Sequence, residues 1–238
     1  MEFFSKINAA FSQGGIFMWA ILVLQVFSIA IIVERGFELF MRRRVDQEDI
    51  ADGFEEVIRR GEIEAVYKQG KDGEEKNPVS RAIAAGAKAA MNLGGRNEIQ
   101  GKMDEVLYKE SGRLEKRAGF LAVIGNVATL TGLLGTITGM IKAFAAVAYA
   151  NPAEKATLLS TGIAEAMNTT AYGLIVAIPA LLLHAAIQNR VTILIEDLNQ
   201  GAMKAFHWLC YSYSPVAQAK RASQEIKEFQ AKSQQNAQ

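Results

Sequence analysis

Two long stretches of this chain carry no charged side chain, although 21% of all its residues are charged. They run from Ala118 to Ile141 and from Ala166 to Asn189. A helix of about 20 consecutive apolar residues is long enough to cross the roughly 30 Å hydrocarbon core of a bilayer. The two stretches therefore predict membrane helices, and they argue against an ordinary soluble α/β enzyme.

A third apolar run lies near the N-terminus, from Ile16 to Val33. A cleaved signal peptide is the alternative, but Lys6 is the only basic residue before the run and no small-x-small cleavage pattern follows it. We therefore predict transmembrane helices over residues 16–34, 118–148 and 162–195. The predicted fold class is an all-α membrane protein, with three transmembrane helices and long cytoplasmic helical extensions.

Lysine and arginine are unevenly distributed around these spans, and cytoplasmic flanks are the ones enriched in them. The poor side has Lys6, Lys142 and Lys155. The rich side has Arg35, Arg42, Arg43, Arg44, Lys109, Arg113, Lys116, Arg117, Arg190 and Lys204. The N-terminus should therefore face outward. The predicted parts are an extracytoplasmic amphipathic segment (1–15), a cytoplasmic helical domain (35–117), an outer loop (149–161) and a cytoplasmic C-terminal helix and tail (196–238).

The cytoplasmic domain has the pattern of several helices. Acidic and apolar residues alternate at helical spacing over residues 45–69, a turn follows over 71–78, and an alanine-rich helix over 79–93 ends at Gly94–Gly95. Asn97 can cap a further helix, which we expect to run without a break through Lys116 into the second span.

Glu165 is the only acidic residue between Glu154 and Glu196, and it opens the third, otherwise uncharged span. An ionisable group inside a membrane is costly, so it usually faces a cavity or a partner and marks an ion path. The alternative is an acid at the headgroup level, which favours the helix macrodipole. Position alone leaves both interpretations open.

Hydroxyl and small residues fall on one face of the second span, at Thr129, Gly132, Thr136 and Gly139. Facing hydroxyls, together with Thr169 and Thr170 one turn after Glu165, could solvate an ion. The same residues are also typical of membrane-helix packing, and Gly135-x-x-x-Gly139 is itself a close-approach motif. Pro179 lies in the third span, where it removes one backbone donor.

The remaining chemistry is sparse. The single cysteine, Cys210, cannot form an intramolecular disulfide, and His184 and His207 are not at metal-ligand spacing, so we predict no metal, no cofactor and no enzymatic activity. GLLGTITG (Gly132–Gly139) lacks the Gly-Lys-Ser/Thr ending of a phosphate loop. A formal net charge of +1 gives no support for nucleic-acid binding.

Two longer patterns carry a family resemblance. The sequence IGNVATLTGLLGTITGMIKAF (Ile124–Phe144) resembles the second membrane helix of the MotA/TolQ/ExbB proton channel family, and it is most similar to the ExbB and TolQ members. GIAEAMNTTAYGLIVAIPALLLH (Gly162–His184) resembles the family's third helix, with its I-A-E-A and T-T-A-x-G-L patterns. The family often has proline where Thr129 and Ala20 stand here, which leaves the ionisable position untouched.

The resemblance implies a homopentamer around two copies of a single-span ExbD- or TolR-like partner with an essential aspartate. It implies a location in the bacterial inner membrane and contact with phospholipid, with a TonB- or TolA-like effector as a further component. By motif position, Glu165 matches the family's membrane glutamate, and Thr136 and Thr170 match its two pore-lining threonines. We expect Gly132, Gly135, Gly139, Thr129, Thr169 and Pro179 to serve helix packing or partner contact.

Two functions from different classes follow. The first is a subunit of a motor that converts proton motive force into work at the cell envelope, for outer-membrane transport, envelope integrity or division, or gliding motility. The second is a non-conducting membrane scaffold in which Glu165 and the threonines only pack. A membrane enzyme or small-molecule transporter is a third class, but the sequence has neither a catalytic constellation nor an inverted repeat.

Overall fold

The computed structural model describes residues 15–42, 47–74, 77–92 and 95–212, and every regular element in these ranges is helical. The first helix, α1 (Gly15–Gly36), continues into a π-helical segment (Phe37–Arg42). The others are α2 (Gln47–Asp52), α3 (Glu55–Arg60), α4 (Ile63–Gly73), α5 (Pro78–Met91), α6 (Arg96–Glu115), α7 (Ala118–Tyr149) and α8 (Pro152–Ser212). The predicted fold class is confirmed.

The described residues form two compact units. The membrane unit contains residues 15–42 and 115–191, and the bundle unit contains the described part of 47–114 together with 192–212. Helix α8 contributes to both. Within the described residues, three helical stretches are long and apolar enough to cross a membrane: Gly15–Phe40, Arg96–Tyr149 and Pro152–Ser212.

In the membrane unit, α1, α7 and the first part of α8 bury mostly small residues. The buried positions of α7 are Ala118, Leu121, Gly125, Ala128, Gly132, Gly135, Gly139 and Ala143. The large apolar side chains of these helices, such as Leu130, Leu133 and Ile137, are instead exposed. That distribution suits a unit surrounded by lipid or by other apolar helices.

The connection between α7 and α8 is shorter than the sequence predicts. We expected a loop over 149–161, but only Ala150 and Asn151 separate α7 from α8. Pro152 occupies the first helical position, where its missing N–H and fixed φ suit a helix start, and Glu154 lies in the first turn. The Asn151 carbonyl accepts the N–H groups of Glu154 and Lys155 at 2.9 and 3.2 Å. The segment is therefore the first part of the third long helix.

The helix predicted to run unbroken from Asn97 into the second span is interrupted at Arg117. This residue has a left-handed backbone (φ 65°, ψ −13°), and α7 begins at the next residue. No glycine or proline marks the break, and a left-handed L-residue costs about 1–2 kcal/mol. The Arg117 guanidinium pairs with the Glu34 carboxylate of α1, a long-range contact that local sequence patterns do not report.

The core of the bundle unit contains many large apolar side chains. Its fully buried side chains include Ile58, Ile83, Met103, Leu198 and Leu209, and Val66 and Val79 join the same cluster. The helical spacing over residues 45–69 corresponds to three helices, α2, α3 and α4. Gly61 ends α3 in a left-handed conformation (φ 83°), its N–H bonding back to the Ile58 carbonyl at 3.0 Å.

The turn predicted over 71–78 is also shorter, because α4 continues to Gly73 and Asn77 is extended before Pro78 starts α5. Helix α2 is held by α8: Asp197 accepts the backbone N–H of Gln47 at 3.0 Å, and Lys204 pairs with Asp52 at 3.2 Å. The predicted segment 1–15 lies outside the described residues except for Gly15. Gly94 and the predicted tail after Ser212 also lie outside the described residues.

Candidate functional site

The predicted site residues lie where α7 and α8 approach most closely. A β-carbon at Gly132 would lie 3.2 Å from the Cα of Thr170, and one at Gly139 would lie 3.0 Å from the Cβ of Ala166. A β-carbon at Gly135 would overlap the methyl group of Thr169. These distances leave no room for larger side chains, so the three glycines set the spacing of the two helices.

Thr136 and Thr170 meet across this contact, and their hydroxyl groups are hydrogen-bonded to each other. The Thr170 hydroxyl also reaches the Gly132 carbonyl at 2.8 Å, and the Thr136 hydroxyl reaches the same carbonyl at 3.2 Å. Both side chains are half-buried. The two hydroxyls and the backbone carbonyl thus form one polar point in the contact between two apolar helices. Such groups can orient water or solvate a passing cation.

Glu165 lies one helical turn before Thr169, whose hydroxyl donates to the Glu165 carbonyl at 3.0 Å. Its side chain is half-buried. The carboxylate oxygen Oε1 would be 2.9 Å from a β-carbon built on Gly15, the first residue of α1. The carboxylate therefore lies beside the start of α1, while Thr169 and Thr170 one turn further along the same helix face α7. Three helices meet at this level.

Two of the predicted residues lie apart from this group. Thr129 is exposed on α7, and its hydroxyl bonds within the helix to the Gly125 carbonyl at 3.1 Å. Pro179 is exposed within α8, which continues through it. The structure thus brings together Glu165, Thr136, Thr170, Thr169 and the three glycines.

Sequence reasoning missed several contacts of the same interface. A β-carbon at Gly173 would lie 2.8 Å from the Ala128 carbonyl oxygen, and one at Gly162 would overlap the Cβ of Ala143. The signal was present, because Gly162, Ala166, Thr169 and Gly173 repeat at intervals of three or four residues. The hydrogen bond from the Tyr172 hydroxyl to Gln25 of α1 had no such signal.

Among the described residues, no group of three or more His, Cys, Asp and Glu side chains is arranged to hold a metal ion. Burial raises the pKa of the Cys210 thiol, although Arg96 acts in the opposite direction. The thiolate, which is the nucleophilic form, is therefore disfavoured at neutral pH.

Comparison with known protein families identifies the family of this chain. A sequence model of the MotA/TolQ/ExbB proton channel family matches residues 74–200, which is more than half of the chain and includes all of α7 and the Glu165 region. The chain belongs to this family. The MotA/TolQ/ExbB family is a family of channels, and its homologues are membrane proteins.

Two relatives are similar over long stretches. The chain is 29% identical over 195 residues to a biopolymer transport protein ExbB homolog of Methanothermobacter thermautotrophicus, across 80% of this chain and 66% of that relative. It is 33% identical over 124 residues to the Tol-Pal system protein TolQ of Haemophilus influenzae, across 51% of this chain and 48% of TolQ. The chain thus spans less than two thirds of the length of either relative.

Proposed function

We propose that this chain is an inner-membrane proton-channel subunit of an ExbB/TolQ-like motor. Five copies surround two copies of a single-span ExbD- or TolR-like partner, and the complex converts proton motive force into mechanical work at the cell envelope. The observation that carries the proposal is the polar point formed by Thr136, Thr170 and the Gly132 carbonyl, next to Glu165 in an otherwise uncharged span. The family match supports it independently.

In this proposal the chain lines one side of the proton path. Thr136 and Thr170 hold a water or a hydrated proton at the α7–α8 contact, and Glu165 supplies a negative charge one turn away. The partner helix supplies the aspartate that binds and releases the proton. Each proton that moves down the membrane potential releases about 2.3 kcal/mol of free energy per 100 mV, so a few protons per step suffice to drive a conformational cycle.

The proposed topology places the N-terminus and the α7–α8 connection in the periplasm, and the bundle unit and C-terminus in the cytoplasm. The excess of Lys and Arg around the bundle side supports this orientation. Phospholipid and a TonB- or TolA-like effector complete the proposed assembly. The work served is outer-membrane transport, envelope integrity or division, or gliding motility, and the partner's periplasmic domain selects among them.

The first measurement is the intact mass of the complex after gentle extraction from the native membrane. Five copies of this chain with two of a small single-span, aspartate-bearing protein are expected. A homo-oligomer without such a partner contradicts the motor and favours the non-conducting scaffold.

The residue-level test is proton flux through that complex in proteoliposomes. We expect Glu165→Gln to abolish proton-driven flux while the mass of the complex stays the same, because the substitution removes the charge but keeps the shape. Thr136→Ala and Thr170→Ala should reduce flux more than assembly. Unchanged flux in Glu165→Gln contradicts the proposed role of this residue, and loss of the complex in either threonine variant favours packing.

Matched controls are available on the same two helices. Glu154→Gln changes an exposed acid in the first turn of α8. Thr131→Ala and Thr161→Ala remove hydroxyls that bond within their own helices, to the Val127 and Thr157 carbonyls. All three variants should retain wild-type flux.

A further inference from the structure

The first residue of α1 has an unusual backbone. Gly15 has a φ of +63°, in the left-handed region that side chains other than that of glycine rarely adopt. A β-carbon at this position would be 2.9 Å from Oε1 of Glu165, closer than real β-carbons approach an oxygen. Because Gly15 has no side chain, the Glu165 carboxylate can lie beside its backbone, where a β-carbon would be too close.

The rest of the first turn of α1 fixes Gly15 in this place. The Cβ of Phe17 lies 3.5 Å from where a β-carbon of Gly135 would be, so this turn also touches the stretch of α7 that faces Thr169. Met18 is 2% exposed and Ile21 is fully buried. Ile21 lies in one buried cluster with Ala128 of α7 and Val176 of α8, so this packing holds α1 against both helices.

We infer that Gly15 is a positioning residue for Glu165, so that the start of α1 fixes where the carboxylate lies. Without a side chain at residue 15, the carboxylate rests against the start of α1. This position limits the directions in which it can turn. The inference rests on the proposed function, because it assigns the placement of a carboxylate that the proposal puts in the path.

A methyl group at residue 15 should act on the carboxylate more than on the fold. The atom that it would meet is the end of a flexible side chain and not a backbone atom. Glu165 can therefore turn away while the helices keep their places. A small displacement of a charged group beside a proton path should slow the flux, just as a 1 Å misplacement can slow an enzyme by about 10²-fold.

The test uses Gly15→Ala in the complete complex, with three measurements. These are proton flux in proteoliposomes, the rate at which a hydrophobic carbodiimide labels Glu165 (read by mass spectrometry), and the intact mass of the complex. We expect flux to fall about tenfold or more, the labelling rate of Glu165 to change, and the mass to stay the same. A merely structural role for Gly15 leaves the labelling rate of assembled complexes unchanged.

Two other glycines give matched controls. Gly36→Ala adds a methyl group at the other end of α1, where nothing lies within 4 Å. Gly61→Ala introduces the same kind of left-handed strain in the bundle unit, at a φ of +83°. Both variants should keep wild-type flux and wild-type labelling of Glu165, which separates the contact with the carboxylate from added bulk and from backbone strain.

If Gly15→Ala loses the complex, Glu165→Asp in the same chain decides the question. The aspartate carboxylate is one methylene shorter, so it should relieve the contact and restore assembly. Failure of this rescue overturns the inference. Wild-type flux and labelling in Gly15→Ala, with Glu165→Gln inactive, overturns it too but leaves the proposed function intact. An active Glu165→Gln instead contradicts the proposed function.

Discussion

The two units of this chain differ in the size of the side chains that fill their helix contacts. In the membrane unit, helices meet where side chains are smallest, as at Gly132, Gly139 and Gly173. The bundle unit also has close glycine contacts, but it adds a core of large buried side chains such as Ile83 and Leu209. Water drives apolar side chains together in the bundle, whereas lipid offers no such drive. Close backbone approach and hydroxyl contacts take its place in the membrane unit.

The two units also differ in where their charged side chains lie. The bundle has exposed ion pairs such as Arg59–Glu55 at 2.7 Å, and also a buried carboxylate, Glu110, which accepts hydrogen bonds from Arg81 and Arg113. In the described part of the membrane unit, acidic side chains other than Glu165 lie at or beyond the ends of the long apolar stretches. An acidic group within a long apolar stretch is therefore unusual in the membrane unit, whereas buried carboxylates in the bundle are neutralised by ion pairs.

The chain's two tryptophans allow each unit to be followed separately. Trp19 lies in α1 of the membrane unit, and Trp208 packs partly against the bundle core. A Trp19→Phe background reports the bundle, and a Trp208→Phe background reports the membrane unit. Unfolding of the detergent-solubilised complex, followed in both backgrounds, can therefore test whether the two kinds of packing are independent.

The largest expected effect is that of Ile83→Ala. Ile83 is fully buried in the bundle core, so its truncation leaves a cavity and should lower the free energy of unfolding of the bundle by about 2–5 kcal/mol. The Trp208 transition should move and the Trp19 transition should not. The exposed Ile193, truncated in the same way, is the control. A shift of both transitions shows that the units do not unfold separately.

A smaller effect is expected from Gly173→Ala in the membrane unit. The added methyl group would lie 2.8 Å from the Ala128 carbonyl oxygen, a backbone atom that cannot move aside without shifting a helix. Overpacking of this kind costs about 1–3 kcal/mol, and here the Trp19 transition should move. Gly119→Ala adds the same group where nothing lies within 4 Å and should be silent. Equal behaviour of the two variants contradicts close packing at Gly173.

The same contrast explains what the sequence could predict. Absence of charge identified the three helices that are long and apolar enough to cross a membrane, and small residues at intervals of three or four predicted close packing on one face of α7. The left-handed break at Arg117 and the contact of Gly15 with Glu165 were not foreseen. Both involve residues far apart in the chain: Arg117 pairs with Glu34, and Gly15 and Glu165 are 150 positions apart. Local periodicity contains no information about either.

The smallest expected effect concerns pH and the ion pairs of the bundle. The hydrogen bond to Glu48, with a further contribution from Asp52, raises the pKa of Lys204 above its ordinary value of 10.5, although partial burial acts against this. A raised pKa in the folded state means that the stabilisation is complete below pH 10.5 and is lost as the pH rises through the folded-state pKa. The Trp208 transition should therefore weaken with rising alkalinity more in the wild type than in Lys204→Met. Lys204→Arg should not show this loss, because arginine keeps its charge in that range. Equal alkaline sensitivity of the wild type and Lys204→Met would mean that the contacts of Lys204 with α2 do not stabilise the bundle.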